Sequence, residues 1–217
     1  MIKKNTEQLL AELPKGVQLE AACKTRTPSE IQAAVDAGIS ILGQNYVGEG
    51  ETVIPFVSGD IRWHLIGHLQ TNKVKRAVDI FHMLESLDSV KLARHIDRAS
   101  RETGKVMECL IEINSAGEPD KNGVLPESAE KLLKEVLVFP NLKIKGLMTM
   151  GPLTDDPEDA RESFRITRQI YDSFKSADYG EYSMDILSMG MSSSYKIAVE
   201  EGANLVRVGT AIFGSRE

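Results

Sequence analysis

The chain has only two cysteines in 217 residues, Cys23 and Cys109, and both sit inside apolar runs. Thiols so placed read as small buried hydrophobes of a reducing compartment and exclude a disulfide framework. No cysteine or histidine pair suggests a zinc site. Basic residues are not in excess: 26 Lys and Arg stand against 32 Asp and Glu, for a net charge of -6. That balance argues against nucleic acid and against anionic membrane as partners, since both need a basic face. No apolar run approaches the ~20 residues that cross a bilayer. The start, Met1-Ile-Lys-Lys-Asn-Thr, lacks the apolar stretch of a secretion signal. The expectation is a cytoplasmic protein. Nor does a Gly-rich fingerprint follow the first strand candidate, where Lys24-Thr-Arg-Thr-Pro28 stands instead; a doubly wound dinucleotide-binding sheet would usually show one.

What is present is a globular composition, 41% hydrophobic and 27% charged, enough to bury a sizeable core. Short apolar runs alternate with longer amphipathic ones from end to end. The pattern predicts strands at 17–24, 40–43, 61–67, 80–86, 106–114, 142–150, 185–190 and 204–209. It predicts helices at 2–12, 29–37, 49–57, 73–77, 90–103, 126–137, 157–176 and 194–201. Thr27-Pro28-Ser29-Glu30 reads as a helix entrance, and Gly38 and Gly202 read as stops after helix ends. Strand and helix in strict alternation mean parallel βα units. Eight strands predict an α/β fold, one closed (β/α)8 TIM barrel over residues 1–217. A typical barrel runs to about 250 residues, so the loops here must be short.

In a barrel the ligand site lies where the strands end, so polar residues at those ends matter most. Alternation puts Glu20, Ala22 and Lys24 on one face of the first strand and Leu19, Ala21 and Cys23 on the other. The apolar face suits the helices, which turns Lys24 into the top of the barrel. There it is either a nucleophilic amine or an ordinary solvated lysine. Arg207 interrupts the apolar eighth strand, and a buried guanidinium needs an acceptor. A ligand would serve, and so would an ion pair with Glu20 or Glu112. Ser188-Met-Gly-Met-Ser192-Ser-Ser and Gly209-Thr210-Ala-Ile-Phe-Gly214 follow the last two strands. Glycine, hydroxyls and free N–H groups in these two positions favour a phosphate, although each segment alone could be a plain turn. Asn45 ends the second strand. His64 lies in the third, as a ligand donor or a core histidine, and His68 follows in the loop. The methionines at the strand ends, Met189 among them, pack softly against side chains or a flat ligand. A lysine, a phosphate cradle and an arginine in one mouth suit pyridoxal 5'-phosphate. A barrel that binds sugar phosphates without a cofactor is the competing reading.

The same segments carry a resemblance. Ala21-Ala-Cys-Lys24-Thr, Gly43-Gln-Asn-Tyr46, Trp63-His-Leu-Ile-Gly-His-Leu-Gln70-Thr-Asn-Lys73, Ser86-Leu-Asp-Ser89, Gly146-Leu-Met-Thr-Met150, Ser188-Met-Gly-Met-Ser192-Ser and Val206-Arg-Val-Gly-Thr-Ala-Ile-Phe-Gly214 resemble the YggS/PROSC family of pyridoxal-phosphate-binding homeostasis proteins. The family is built like the barrel domain of alanine racemase. The resemblance implies that Lys24 forms a Schiff base with pyridoxal 5'-phosphate. It further implies that Ser192, Gly209 and Thr210 hold the phosphate, that Arg207 meets the ring nitrogen, and that Asn45, His64 and Met189 surround the cofactor. Gln44, Cys23 and Ser194 depart from the family's usual Glu, Ser and acidic residue, and the 117–123 loop with Lys121 matches only loosely.

The family is associated with vitamin B6 and amino-acid homeostasis rather than turnover, and an always-cationic arginine makes the ring a weak electron sink. No metal and no catalytic residue are expected. The chain also stops seven residues after Thr210, without the C-terminal β domain that completes a racemase site. The expected protein is a monomeric, non-catalytic cofactor carrier, with apo-enzymes that use the cofactor as possible recipients. The alternative is an amino-acid racemase or lyase of low activity.

Overall fold

Helix signals in the sequence become helix ends in the computed structural model, which describes residues 1–152, 154 and 156–215. After α1 (Ile2–Glu12), helix α2 (Pro28–Val35) begins at a capping box: Thr27 accepts from the Glu30 N–H, and the Glu30 carboxylate accepts from the Thr27 N–H. The Ser89 hydroxyl accepts from the Leu92 N–H to start α5 (Val90–Thr103), and Gly104 at φ 67° ends it. Leu92, Ala93, Ile96, Ala99 and Ser100 form its buried stripe, the spacing of one helix face.

The eight strands are β1 (Gln18–Ala22), β2 (Ile41–Gln44), β3 (Arg62–Leu65), β4 (Met83–Leu87), β5 (Met107–Glu112), β6 (Leu142–Thr149), β7 (Ile186–Met189) and β8 (Leu205–Val208). Each pairs in parallel with the next, and β8 returns to β1 to close the barrel. The remaining helices are α3 (Val47–Val53), α4 (Val74–Ile80), α6 (Ala129–Val136), α7 (Arg161–Ser176), α8 (Tyr195–Glu200) and α9 (Thr210–Phe213). The eight predicted strands are all present. Boundaries moved where the local pattern was ambiguous. Pro55 cannot sit inside a helix, so α3 ends at Val53 and a 3-10 turn at Ile54–Phe56 replaces the expected run to 57. Ile80 completes α4, whose buried Val74, Ala77 and Val78 make it a helix, and β4 begins three residues later than expected. The short α9 was not expected as an element.

Alternation decides what each strand buries. Leu19, Ala21 and Cys23 join Ile31 and Ala34 of α2 in the main core between strands and helices. The two thiols are buried and free. Inside the barrel the apolar filling is small, Met83, Leu110 and Met148 with Met150 and Ile186 against them. Polar groups share that interior: Glu20, His64, Glu85, Glu112, Ser188 and Arg207 are all buried. Buried charges persist only where they are paired or neutralised, so this interior carries the functional argument.

Candidate functional site

Lys24 follows β1 as the first residue of a turn and is half-buried, its Nζ 5.3 Å from the centre of the Tyr46 ring. The turn is held from both sides. The Thr25 N–H donates to Glu49 (3.2 Å), and Arg26 donates to the Gly214 carbonyl (2.6 Å) with its guanidinium over Phe213. Thr25 itself stands at φ 63°, a left-handed conformation that a β-branched residue resists. Thr25→Gly is therefore expected to raise the unfolding free energy by about 1 kcal/mol, or roughly 2–4 °C in Tm. Thermal unfolding followed by circular dichroism checks this.

The other mouth residues come from neighbouring strands. β8 pairs with β1, Glu20 facing Arg207 in register, and Gly209 lies against the Ala22 carbonyl. The Ser192 hydroxyl accepts from the N–H groups of Gly209 (3.1 Å) and Ala211 (3.4 Å), which ties the loop after β7 to the turn after β8. Gly190 allows this loop: it sits at φ 87°, and a Cβ there would come within 2.6 Å of the Ala198 Cβ and 2.9 Å of the Tyr195 Cα. Thr210 is exposed at the start of α9. Asn45 stands half-buried at the end of β2, lining a rim cavity with Tyr46, Gly67, His68, Gln70 and Lys73.

Beneath these ends lies a chain of buried polar groups. Arg207, 2% exposed, donates to the Ser188 hydroxyl (2.5 Å), the Thr149 carbonyl (2.7 Å) and the Met150 sulfur (3.5 Å). Ser188 donates onward to Glu85 Oε2 (2.7 Å), and His64 Nδ1 lies 2.8 Å from Glu85 Oε1. The carboxylate can only accept, so His64 Nδ1 is the donor. The ion-pair reading for Arg207 named the wrong acids: Glu85 is its near carboxylate, at 4.0 Å. Glu85 went unnoticed in the sequence, although a lone carboxylate in an apolar strand carries the same signal that flagged Arg207.

Met189 departs from the rest. Ser188 faces the barrel interior, so its neighbour Met189 faces the helices, fully buried in the main core. Its side chain is not brought together with Arg207.

A cavity of about 200 Å³ opens beside Arg207 at the ends of β5 and β6. Glu112, Asn114, Ser115, Lys121, Thr149 and Met150 are among its walls. Burial pushes the Glu112 carboxyl up to about 7, the Asp88 charge adding to this and the Arg207 charge opposing it. Lys121 is engaged by Glu118 (2.7 Å) and the Gly151 carbonyl (2.8 Å).

The donor set fits pyridoxal phosphate. Arg207 spends three of five N–H groups on the contacts above, which leaves two uncommitted among the described residues. His64 Nε2 is buried with no partner among them. A lysine amine, backbone N–H groups of two loops joined by Ser192, and a fixed guanidinium stand on adjoining strands.

The model of the family described as "alanine racemase, N-terminal domain" matches residues 1–217. A pyridoxal phosphate homeostasis protein of Aquifex aeolicus is 39% identical over 92% of this chain and 87% of its own. One from Synechocystis is 34% identical over 96% of both chains. The structure of PipY from Synechococcus elongatus with pyridoxal phosphate bound superposes with a TM-score of 0.91 at 32% identity, covering 99% of this chain and all of the other. Alanine racemase of Clostridium difficile shares the fold, with a TM-score of 0.76 at 13% identity, and this chain covers 56% of it. On this full-length match the chain belongs to the pyridoxal phosphate homeostasis protein family, whose barrel is that of the alanine racemase N-terminal domain.

Proposed function

We propose that this protein binds pyridoxal 5'-phosphate through Lys24 and serves vitamin B6 and amino-acid homeostasis as a carrier without turnover. The observation that carries the reading is the placement of Lys24, Arg207 and the Ser192-linked turn at one end of the adjoining strands β7, β8 and β1. The bound cofactor contributes an aldehyde that an amine can capture. Lys24 is that amine, and Ser192, Gly209 and Thr210 receive the phosphate. Arg207 would hold the ring nitrogen with an N–H group left free by its protein contacts. It is cationic at every working pH and passes no proton to the ring, which supports storage over electron-sink chemistry. Residues 1–217 act as one cofactor domain, working as a monomer that hands cofactor to apo-enzymes. The setting is cytoplasmic. Among the described residues no helix is long and apolar enough to cross a membrane.

Protein incubated with pyridoxal phosphate and desalted is expected to keep a visible absorption band. Lys24→Ala loses that band and retains its circular dichroism. Colourless wild-type protein overturns the reading.

Glu112 favours a second reading. A carboxyl titrating near neutrality, in a cavity beside Arg207, is suited to proton transfer in slow amino-acid racemisation or lysis. Turnover that Glu112→Gln abolishes while the absorption band persists would establish it.

A further inference from the structure

Among the described residues the interior of this barrel holds one guanidinium and three carboxyls: Arg207 against Glu20, Glu85 and Glu112, each less than a tenth exposed. An ionised carboxylate in such a place must be paired and hydrogen-bonded. Glu85 meets that condition. It accepts from His64 Nδ1 and from the Ser188 hydroxyl, and it lies 4.0 Å from Arg207 Nη1. Glu20 is not hydrogen-bonded: both its oxygens are buried without a hydrogen-bond partner among the described residues, and His64 Nδ1, 3.6 Å from Glu20 Oε1, gives its proton to Glu85 at 2.8 Å. Gly43 leaves room for the Glu20 carboxyl where it stands: a Cβ on residue 43 would lie 2.5 Å from Glu20 Oε1.

We propose that Glu85 is the positioning residue for Arg207, acting as its counter-ion and holding it through Ser188. The consequence rests on the cofactor reading above: Glu85 determines where the arginine's free N–H groups stand and how much charge they present to the ring nitrogen. Glu20 is a neutral acid alongside. The titration directions agree. Burial pushes the Glu85 carboxyl up, but the bond from His64, the charges of His64 and Arg207 and the bond from Ser188 outweigh it. For Glu20, burial and then the Glu85 charge push the same way, well above the ordinary range, against the opposing charge of Arg207. Arg207 and Glu85 then stand as an ion pair beside a neutral Glu20.

The test compares Glu85→Gln, Glu20→Gln and Ser188→Ala in the full chain. With pyridoxal phosphate loaded, Glu85→Gln is expected to move the absorption maximum and to release the cofactor roughly tenfold faster or more, as losing one partner of a buried pair acts on the off-rate. Glu85→Asp, which keeps the charge, restores part of both. Glu20→Gln changes neither. If Glu85→Gln does not fold, Ser188→Ala is the deciding variant, and it must shift the maximum. An unmoved maximum in both, or a shift in Glu20→Gln equal to that in Glu85→Gln, overturns the proposal. Melting of the apo-proteins at neutral pH gives an answer without cofactor. Glu20→Gln should melt no lower than wild type, and Glu85→Gln clearly lower. The reverse order overturns the charge assignment even if no cofactor binds.

Discussion

Arg207→Met is expected to lower the unfolding free energy by about 3–5 kcal/mol, the cost of leaving a buried charge without its partner. The size follows from where the side chain sits. Arg207 is 2% exposed and satisfies the Ser188 hydroxyl, the Thr149 carbonyl and the Met150 sulfur at once, with the Glu85 carboxylate 4.0 Å away. Methionine fills much of the volume but donates nothing. Glu85 then keeps its bonds from His64 and Ser188 while losing the guanidinium 4.0 Å away, and protonation becomes its cheapest escape. The loss should therefore be smaller in acid than at neutral pH. Urea unfolding at two pH values measures both features. A loss below about 1 kcal/mol, the worth of an exposed pair, would mean that Arg207 is not held as described.

The second large effect belongs to Glu112. Its carboxyl is raised from the ordinary 4.5 to about 7, chiefly by burial. A carboxyl raised on folding binds more protons folded than unfolded between those two values. Stability therefore falls as pH rises through that window, and the full penalty is present above it. The difference of about 2.5 units corresponds to about 3 kcal/mol. Glu112→Gln removes the titration. Relative to wild type the variant is expected to gain about 3 kcal/mol between pH 4.5 and pH 7, with little further change above. Denaturant curves from pH 4 to pH 8 test the sign. A difference that does not change with pH would show that Glu112 titrates as an ordinary carboxylate.

Much of the mouth was legible because the rules involved are local. Lys24 stands at a strand end whose alternation separates Glu20 from Leu19, Ala21 and Cys23, and that separation is the one observed. Ser192 and Gly209 were legible as hydroxyl and glycine after the last two strands, and the structure joins them by a hydrogen bond of 3.1 Å. Met189 was not legible by motif, yet the same alternation would have assigned it: with Ser188 inward, Met189 must face the helices. The β4 boundary was ambiguous because the run through Ile80 and Phe81 suits a helix end and a strand start equally well.

The sequence by itself determined the parallel barrel, its eight strands, the inward face of β1 and which residue types stand at the mouth, since periodicity, caps and residue type act over a few residues. Only the tertiary structure decided which acid answers Arg207. Glu20, directly opposite in register on β1, was the natural partner on paper, and Glu112 the other. The arginine instead bonds Ser188 on β7, which bonds Glu85 on β4, which accepts from His64 on β3. β3 and β4 are consecutive, as are β7 and β8, but Ser188 and Glu85 lie 103 residues apart and meet only across the closed barrel, so the link between Arg207 and its acid belongs to no single segment.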